Sequence, residues 1–362
     1  MYGDRLPWYR RVQLDAGHQI SRALNQLFSR LPFWEHGLDK PTVTRIQCRH
    51  SPLAGRRAVQ ISDLHLDQYL PRHDTILGRI RELRPDWIFV TGDLLNSASG
   101  LPHLLRFLSR LRQLAPVYLT LGNHDHGSGV PVGLLAALAD SHKIQLLVNQ
   151  AVFVPLASGE LGIIGLDDPS THRADPRCIP PRVAGRFTVL LAHAPNVLDL
   201  LEAKDAVDLI LCGHSHGGQW RFPSVRPFWL PYGCRGRAEG HYIQNGHRLY
   251  INRGLGWSFL PIRWNCPPEI VLIEWVEARR GMVCSPDARS LRPPGHPFSE
   301  SLRSAGSSRP YSFQSLQILY PNGREVVAFS EDQEVRPLHP QGEIGTRSYS
   351  EDFDSVHDSA RR

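Results

Sequence analysis

The chain has 362 residues, 41% hydrophobic and 21% charged, which excludes a wholly disordered or collagen-like protein and suits one large domain or two ordinary ones. The formal charge is +6, with all but three of the 41 basic residues arginine, and it is spread too evenly to mark a nucleic-acid-binding face. Six dispersed cysteines without a C-x-x-C pair argue against a disulfide framework, while 18 histidines supply the commonest metal-ligating side chain.

Residues 1–50 carry one helical pattern. Ile20, Leu24, Leu27 and Leu31 share a face, polar residues take the other, and Trp8, Tyr9, Phe33 and Trp34 flank it with Arg5, Arg10 and Arg11 nearby. This predicts an amphipathic helix that either packs on the main domain or lies in a membrane interface with its arginines toward anionic headgroups. Asp4, Arg10, Arg11 and Asp15 interrupt any export-type apolar region, and no run reaches the ~20 apolar residues of a membrane span. The expected location is cytoplasmic, peripheral at the inner membrane if the helix is interfacial.

Residues 51–278 alternate short aliphatic runs with helical patterns. Strands are predicted at Ala58–Ile61, Trp87–Val90, Val117–Leu121, Leu161–Leu166, Phe187–Leu191 and Leu209–Cys212, and helices at Arg72–Arg84, Leu101–Leu114, Pro131–Ala139 and Pro195–Glu202. Such alternation indicates an α/β protein with helices outside its sheet. Leu249–Asn252 and Glu269–Val276 read as strands without intervening helices, which predicts a second sheet. Residues 279–362 form a Ser-, Arg- and Pro-rich tail, expected to be largely disordered apart from a hairpin at 315–329 around Asn322-Gly323.

Polar residues follow the predicted strands directly: Ser62-Asp63-Leu64-His65, Thr91-Gly92-Asp93, Gly122-Asn123-His124-Asp125, Ala192-His193 and Gly213-His214-Ser215-His216. Ligands of open α/β sheets bind beyond the carboxyl ends of strands, so five strands deliver Asp, Asn and His to one edge. Singly, each motif reads as readily as a turn, a helix cap or a satisfied core histidine; together, each after a strand, they indicate a metal site. Carboxylate, amide oxygen and imidazole suit Mn²⁺, Fe or Zn²⁺. Cys212, a strand residue before a glycine, is expected to point into the core.

This set resembles the motifs of the calcineurin-like metallophosphoesterase superfamily, across roughly the middle two-thirds of the chain. The resemblance implies a four-layer α/β/β/α sandwich with two mixed β-sheets and a di-metal site at strand C-terminal ends. It assigns Asp63, His65 and His216 to one ion, Asn123, His193 and His214 to the other, and Asp93 to both, with Mn²⁺ the preferred metal. It departs from the common G-D-x-x-D form in placing Asn96 last in the second motif. It further implies in-line displacement at phosphorus by a metal-bound hydroxide, with His124 as general acid and Asp125 orienting it.

Asn252-Arg253-Gly254, Pro261-Ile262-Arg263 and Pro267-Pro268-Glu269 are similar to a bacterial, membrane-associated branch of that superfamily. Its chlamydial-type pyrophosphatases hydrolyse UDP-2,3-diacylglucosamine to lipid X and UMP in lipid A biosynthesis, and this is the favoured substrate. Arg253 is then a candidate phosphate contact. Phe228 and Trp229, within the aromatic segment 220–232, are candidates for acyl-chain binding and, with the N-terminal helix, for peripheral membrane contact. The alternatives are a phosphodiesterase acting on a soluble nucleotide, nucleic acid or another lipid diester, and a non-catalytic scaffold; no nucleic-acid partner is expected.

Overall fold

A strand covered on both faces has no side to show water, and the run Trp87–Thr91 is buried at every position. A computed structural model, which describes residues 40–221, 227, 229–258 and 263–278 together with the backbone of 316–319 and 325–328, places that run inside an eight-stranded sheet. In chain order the strands are β1 (Thr42–Arg49), β2 (Arg57–Ile61), β3 (Trp87–Thr91), β4 (Val117–Thr120), β5 (Gln145–Leu146), β6 (Gln150–Leu156) and β7 (Gly159–Gly165). They continue with β8 (Arg186–Leu191), β9 (Leu209–Cys212), β10 (Gly240–Gln244), β11 (His247–Ile251), β12 (Glu269–Val276), β13 (Leu316–Leu319) and β14 (Glu325–Ala328).

The first sheet runs β14-β13-β1-β12-β2-β3-β4-β5 and the second β10-β11-β9-β8-β7-β6. Both are mixed. β2 to β5 are parallel and β12 opposes β2. In the second sheet β11, β9, β8 and β7 are parallel, with β10 and β6 antiparallel at the edges. The consequence for function is that β2, β3, β4, β8, β9 and β11 each end in one of the polar motifs.

The two sheets meet over an apolar interface. Ile46, Phe89, Tyr118, Ile273 and Trp275 from the first pack against Leu161, Ile163, Val189, Leu211 and Tyr250 from the second. Trp275 stands edge-on to Trp87 and to Phe187 at centroid distances of 5.9 and 5.6 Å, an arrangement aromatic quadrupoles favour. The outer face of the first sheet is covered by helices α1 (Pro71–Leu83), α2 (Leu101–Arg112) and α4 (Val132–Ser141). Their Ile76, Ile80, Phe107, Leu111 and Leu135 recur at helical spacing and bury against Val59, Ile88 and Val90. α3 (Asn123–Gly127) is a single short turn of helix between β4 and α4.

Each predicted strand ends within a residue or two of an observed one, and three of the four helices form as expected. The fourth, Pro195–Glu202, is a 3₁₀ segment at Pro195–Leu200 with Leu201 extended. Its Pro195, Val197 and Leu198 are all buried over the outer face of the second sheet, where Ile164, Leu190 and Ile210 wait. A run this short, buried on several sides, gains more from that contact than from a second α-turn. So among the described residues the cover on this side is 3₁₀ helix and loop.

β1 has no counterpart in the sequence reading, although Thr44, Ile46 and Cys48 alternate toward the interior. It pairs in parallel with β12 along its whole length. The strands on either side of Asn322-Gly323, β13 and β14, pair antiparallel and join the free edge of β1. The predicted N-terminal helix, Phe228, Pro261 and Ile262 lie outside the described residues. Among the described residues no helix is long and apolar enough to cross a membrane.

Trp275 fills the inter-sheet core at 1% exposure, so Trp275→Ala is expected to cost about 3–5 kcal/mol. The check is a urea titration, with the midpoint falling and the slope unchanged.

Candidate metal centre

A strand that ends at the sheet edge must turn at once to keep its next residues near its neighbours' ends, and here the turning residues are the chemical ones. Asp63 (φ +52°), His65 (+44°), Asp93 (+51°), His214 (+69°) and His216 (+50°) all stand on left-handed backbone, which a side chain with a Cβ adopts only at a cost. The cost is offset by hydrogen bonds that lace one loop to the next. Asp63 N donates to Gly92 O at 3.1 Å, His65 N to Asp93 O at 3.0 Å and Gly213 N to His193 O at 2.9 Å.

The side chains so placed form two groups whose ligand atoms lie within 4.8 Å of one another: Asp63, His65, Asp93 and His216, and Asp93, His193 and His214. Asp93 belongs to both. Its Oδ2 is 3.5 Å from His65 Nε2 and 3.2 Å from His193 Nε2, and its Oδ1 accepts from the backbone N–H of His124 at 2.9 Å. His65 Nε2 lies 3.1 Å from His216 Nε2, and His214 Nδ1 lies 3.0 Å from His193 Nε2.

The outward nitrogens fix the tautomers. His65 Nδ1–H donates to Asn96 Oδ1 at 2.6 Å, His193 Nδ1–H to Thr91 O at 2.9 Å, and His214 Nε2–H to Tyr232 O at 2.6 Å. The other nitrogen of each ring faces inward, the orientation that outer partners impose on metal-ligating imidazoles. Asn96 is itself held by Asp67, to which its Nδ2 donates at 2.9 Å. The departure of the second motif from G-D-x-x-D thus leaves a working acceptor behind His65.

The residues present fit a pair of divalent cations. Imidazole lone pairs and two carboxylates converge in a buried site, which is costly without positive charge between them. Asn123 Oδ1 is buried without a hydrogen-bond partner, and Asn123 opens α3 beside the second group. Burial alone would raise the Asp93 carboxyl, but the pull of His193 and His124 outweighs it and holds Asp93 well below the usual carboxylate range. Burial also opposes charge on His193, yet Asp93 pushes that ring up to about 10, so a proton stands where a cation can replace it. Burial, reinforced by neighbouring cationic groups, lowers His214 and His216 and keeps them neutral for ligation.

Gly122 shows how little room this leaves. A Cβ there would overlap the Asp93 carboxylate and come within 2.8 Å of the His193 ring.

The remaining predicted residues divide. The His124 ring stands edge-on to His65 with centroids 4.6 Å apart, at the mouth of the first group. The Asp125 carboxylate binds the backbone of two loops. It accepts from the backbone N–H groups of Gly122 and Leu94, both at 2.8 Å, and of Leu95 at 3.3 Å, and so fastens the loop after β4 to the loop after β3. Burial and the nearby Asp93 charge push Asp125 up to about 7. The guanidinium of Arg253 donates to Thr42 Oγ1 at 2.7 Å and pairs with Glu239 and Glu269 at 3.4 and 3.5 Å, contacts within the fold. Trp229 is 54% exposed on the predicted aromatic segment. Cys212 is buried in the core, as expected.

Two residues had no role in the sequence reading: Arg263, quoted there only within its motif, and Asp167. Arg263, fully enclosed, donates to Gly256 O at 2.8 Å and Arg253 O at 2.7 Å and fixes the backbone behind His216. Asp167 accepts from His126 Nε2–H at 2.6 Å and ties α3 to the loop after β7. The signal was available: Asp167-Asp168-Pro169-Ser170 is another acidic cluster directly after a strand.

Comparison with known proteins agrees with this geometry. The profile of the family described as Calcineurin-like phosphoesterase matches residues 56–218, from β2 to just past His216. The chain is 34% identical over 226 residues to Uncharacterized metallophosphoesterase YkuE of Bacillus subtilis (strain 168), covering 60% of this chain and 78% of that protein. It is 30% identical over 222 residues to Phosphodiesterase YaeI of Escherichia coli (strain K12), covering 60% and 80% respectively. It is 27% identical over 295 residues to UDP-2,3-diacylglucosamine pyrophosphatase LpxG of Chlamydia muridarum (strain MoPn / Nigg), covering 63% and 86%.

The His193–Asp93 pair sets a pH dependence. A ring raised from 6.5 to about 10 in the folded protein contributes stability that is complete below pH 6.5 and lost as pH rises through about 10. Chelated protein is therefore expected to melt at lower temperature as pH climbs through that window. Cation affinity is expected to rise over the same window, with proton release detected by calorimetry in two buffers of different ionisation enthalpy.

Proposed function

We propose a specific activity for this chain, which belongs to the calcineurin-like phosphoesterase family and is a metal-dependent phosphoester hydrolase: cleavage of a phosphodiester or pyrophosphate bond at the Asp93-centred cluster. The observation that carries it is one carboxylate shared by two groups of inward-facing ligands. Asp63, His65 and His216 hold one cation, Asn123, His193 and His214 the other, and Asp93 both. Bound there, divalent cations supply Lewis-acid polarisation of phosphoryl oxygens and lower the pKa of water.

The chain's own work is positioning and proton transfer. Asn96, Thr91 and Tyr232 hold three imidazoles in the ligating tautomer. His124 carries the proton given to the leaving oxygen. Its backbone N–H is bound to Asp93, and Asp125 secures the loop beneath it through amides, which places the ring beside the cluster. Arg253 supports the loop after β11 through Glu269 and Glu239.

For the substrate, we favour a nucleotide-linked glycolipid pyrophosphate such as UDP-2,3-diacylglucosamine. Two facts support this reading: the name of the 27%-identical Chlamydia protein, and the exposed Trp229 on the predicted acyl-binding segment.

With Mn²⁺ the protein is expected to hydrolyse bis-p-nitrophenyl phosphate, and Asp93→Ala to lose both activity and metal content. His124→Ala is expected to lower kcat about 10²- to 10⁴-fold with metal content unchanged; an unaltered kcat would remove His124 as the acid. Incubation with UDP-2,3-diacylglucosamine should release UMP and lipid X; turnover of simple diesters without UMP release would confine the activity to other phosphodiesters.

A further inference from the structure

Two rings at the edge of the centre have no part in the chemistry just described. Tyr232 presents its backbone oxygen to a ring nitrogen of His214, so its own side chain stands within one side chain's reach of the cluster, and it is 46% exposed. His172 is exposed too and stands on left-handed backbone at φ +61°. The two ring centroids are 6.5 Å apart with planes tilted by 54°, so the two rings lie side by side at the surface.

Neither ring is loose. Behind His172, the buried Asp168 carboxylate accepts from Ser170 N at 3.2 Å, Ser170 Oγ at 2.6 Å and Thr171 N at 2.9 Å, while His172 N donates to Pro169 O at 3.2 Å. Behind Tyr232, Gly233 has φ +98°, and an added Cβ would stand 3.0 Å from Ser170 Cβ and 3.2 Å from Asn196 Oδ1. Asn196 Nδ2 in turn donates to Pro169 O at 3.1 Å. The two loops thus pack against each other, and they hold an exposed pair of rings, one of them on left-handed backbone, beside the metal cluster.

We infer that Tyr232 and His172 form a stacking subsite for the nucleobase of a nucleotide phosphoester whose phosphate sits at the Asp93 cluster. This rests on the phosphoesterase reading above and adds the part of the substrate that this chain grips. A flat ring can lie against one π-face while the phenol hydroxyl and imidazole nitrogens stay hydrogen-bonded at its edge. An aliphatic chain in the same place would desolvate those polar atoms without replacing their partners.

The test is equilibrium binding to the Mn²⁺-loaded full chain, with UMP and inorganic phosphate as probes. Wild type should bind UMP about tenfold more tightly than phosphate, the size of one base–aromatic stack. His172→Ala should reduce that ratio severalfold and leave phosphate affinity and metal content unchanged; Tyr232→Ala, which keeps the backbone oxygen bound to His214, should reduce it likewise, while Tyr232→Phe retains the ratio. An unchanged ratio in both alanine variants would overturn the proposal. So would a preference for decyl phosphate over UMP that Tyr232→Ala removes, since the occupant would then be an acyl chain. Because the readout is binding, it stands apart from turnover: a protein that cleaves no diester would refute the activity and still report on the subsite.

Discussion

The structure is organised around the Asp93 carboxylate. It is buried at 2% exposure, 3.5 Å from a histidine of the first sheet's loops and 3.2 Å from a histidine of the second's, so solvent screens its charge little. A buried anion of this kind survives only if positive charge is supplied from both sides. Everything else in the site arranges that supply: the strand ends that bring the ligands, the outer hydrogen bonds that aim them, and the glycine at position 122 that lets the two loops close over it.

The way the loops are held explains why the site is both strained and stable. Five candidate ligands sit on backbone that L-residues avoid, and their loops are hydrogen-bonded to loops that follow other strands. Asp125 belongs to this lacing, since its carboxylate spends both oxygens on amides from two loops. Arg263 does the same on the side of His216. Charge buried for structural reasons therefore surrounds charge buried for chemical reasons, and a side chain in such a site cannot be assigned a role from its type alone.

The strands were legible because they are covered on both faces and read as unbroken aliphatic runs bounded by Gly, Asp or Asn. Trp87–Thr91 and Leu209–Cys212 are of this kind. β1 was missed because its alternation is carried by Thr44, Ile46 and Cys48 between polar residues, a weak pattern beside a strong helical one. β6 and β10 are edge strands with few fully buried positions, which the same criterion passes over. Pro195–Leu200 misled in the opposite direction, since its apolar content reflects burial rather than helical period.

What the sequence determined by itself is which residue types follow which strands, because the motif glycines, aspartates and histidines are contiguous and each motif can be read locally. That was enough to point to a metal site at one sheet edge, while the seven candidate ligands and their division between two groups came from the resemblance to the superfamily. What only the tertiary structure decided is where the supporting groups spend their hydrogen bonds. Asp125 and Arg253 face partners 31 and 211 residues away in sequence, and the Tyr232 carbonyl behind His214 belongs to a loop that carries no motif. Ligation is a property of residue type and local spacing, whereas orientation depends on which distant amide or carbonyl the fold brings into reach, and that becomes visible only when the two sheets are closed on each other.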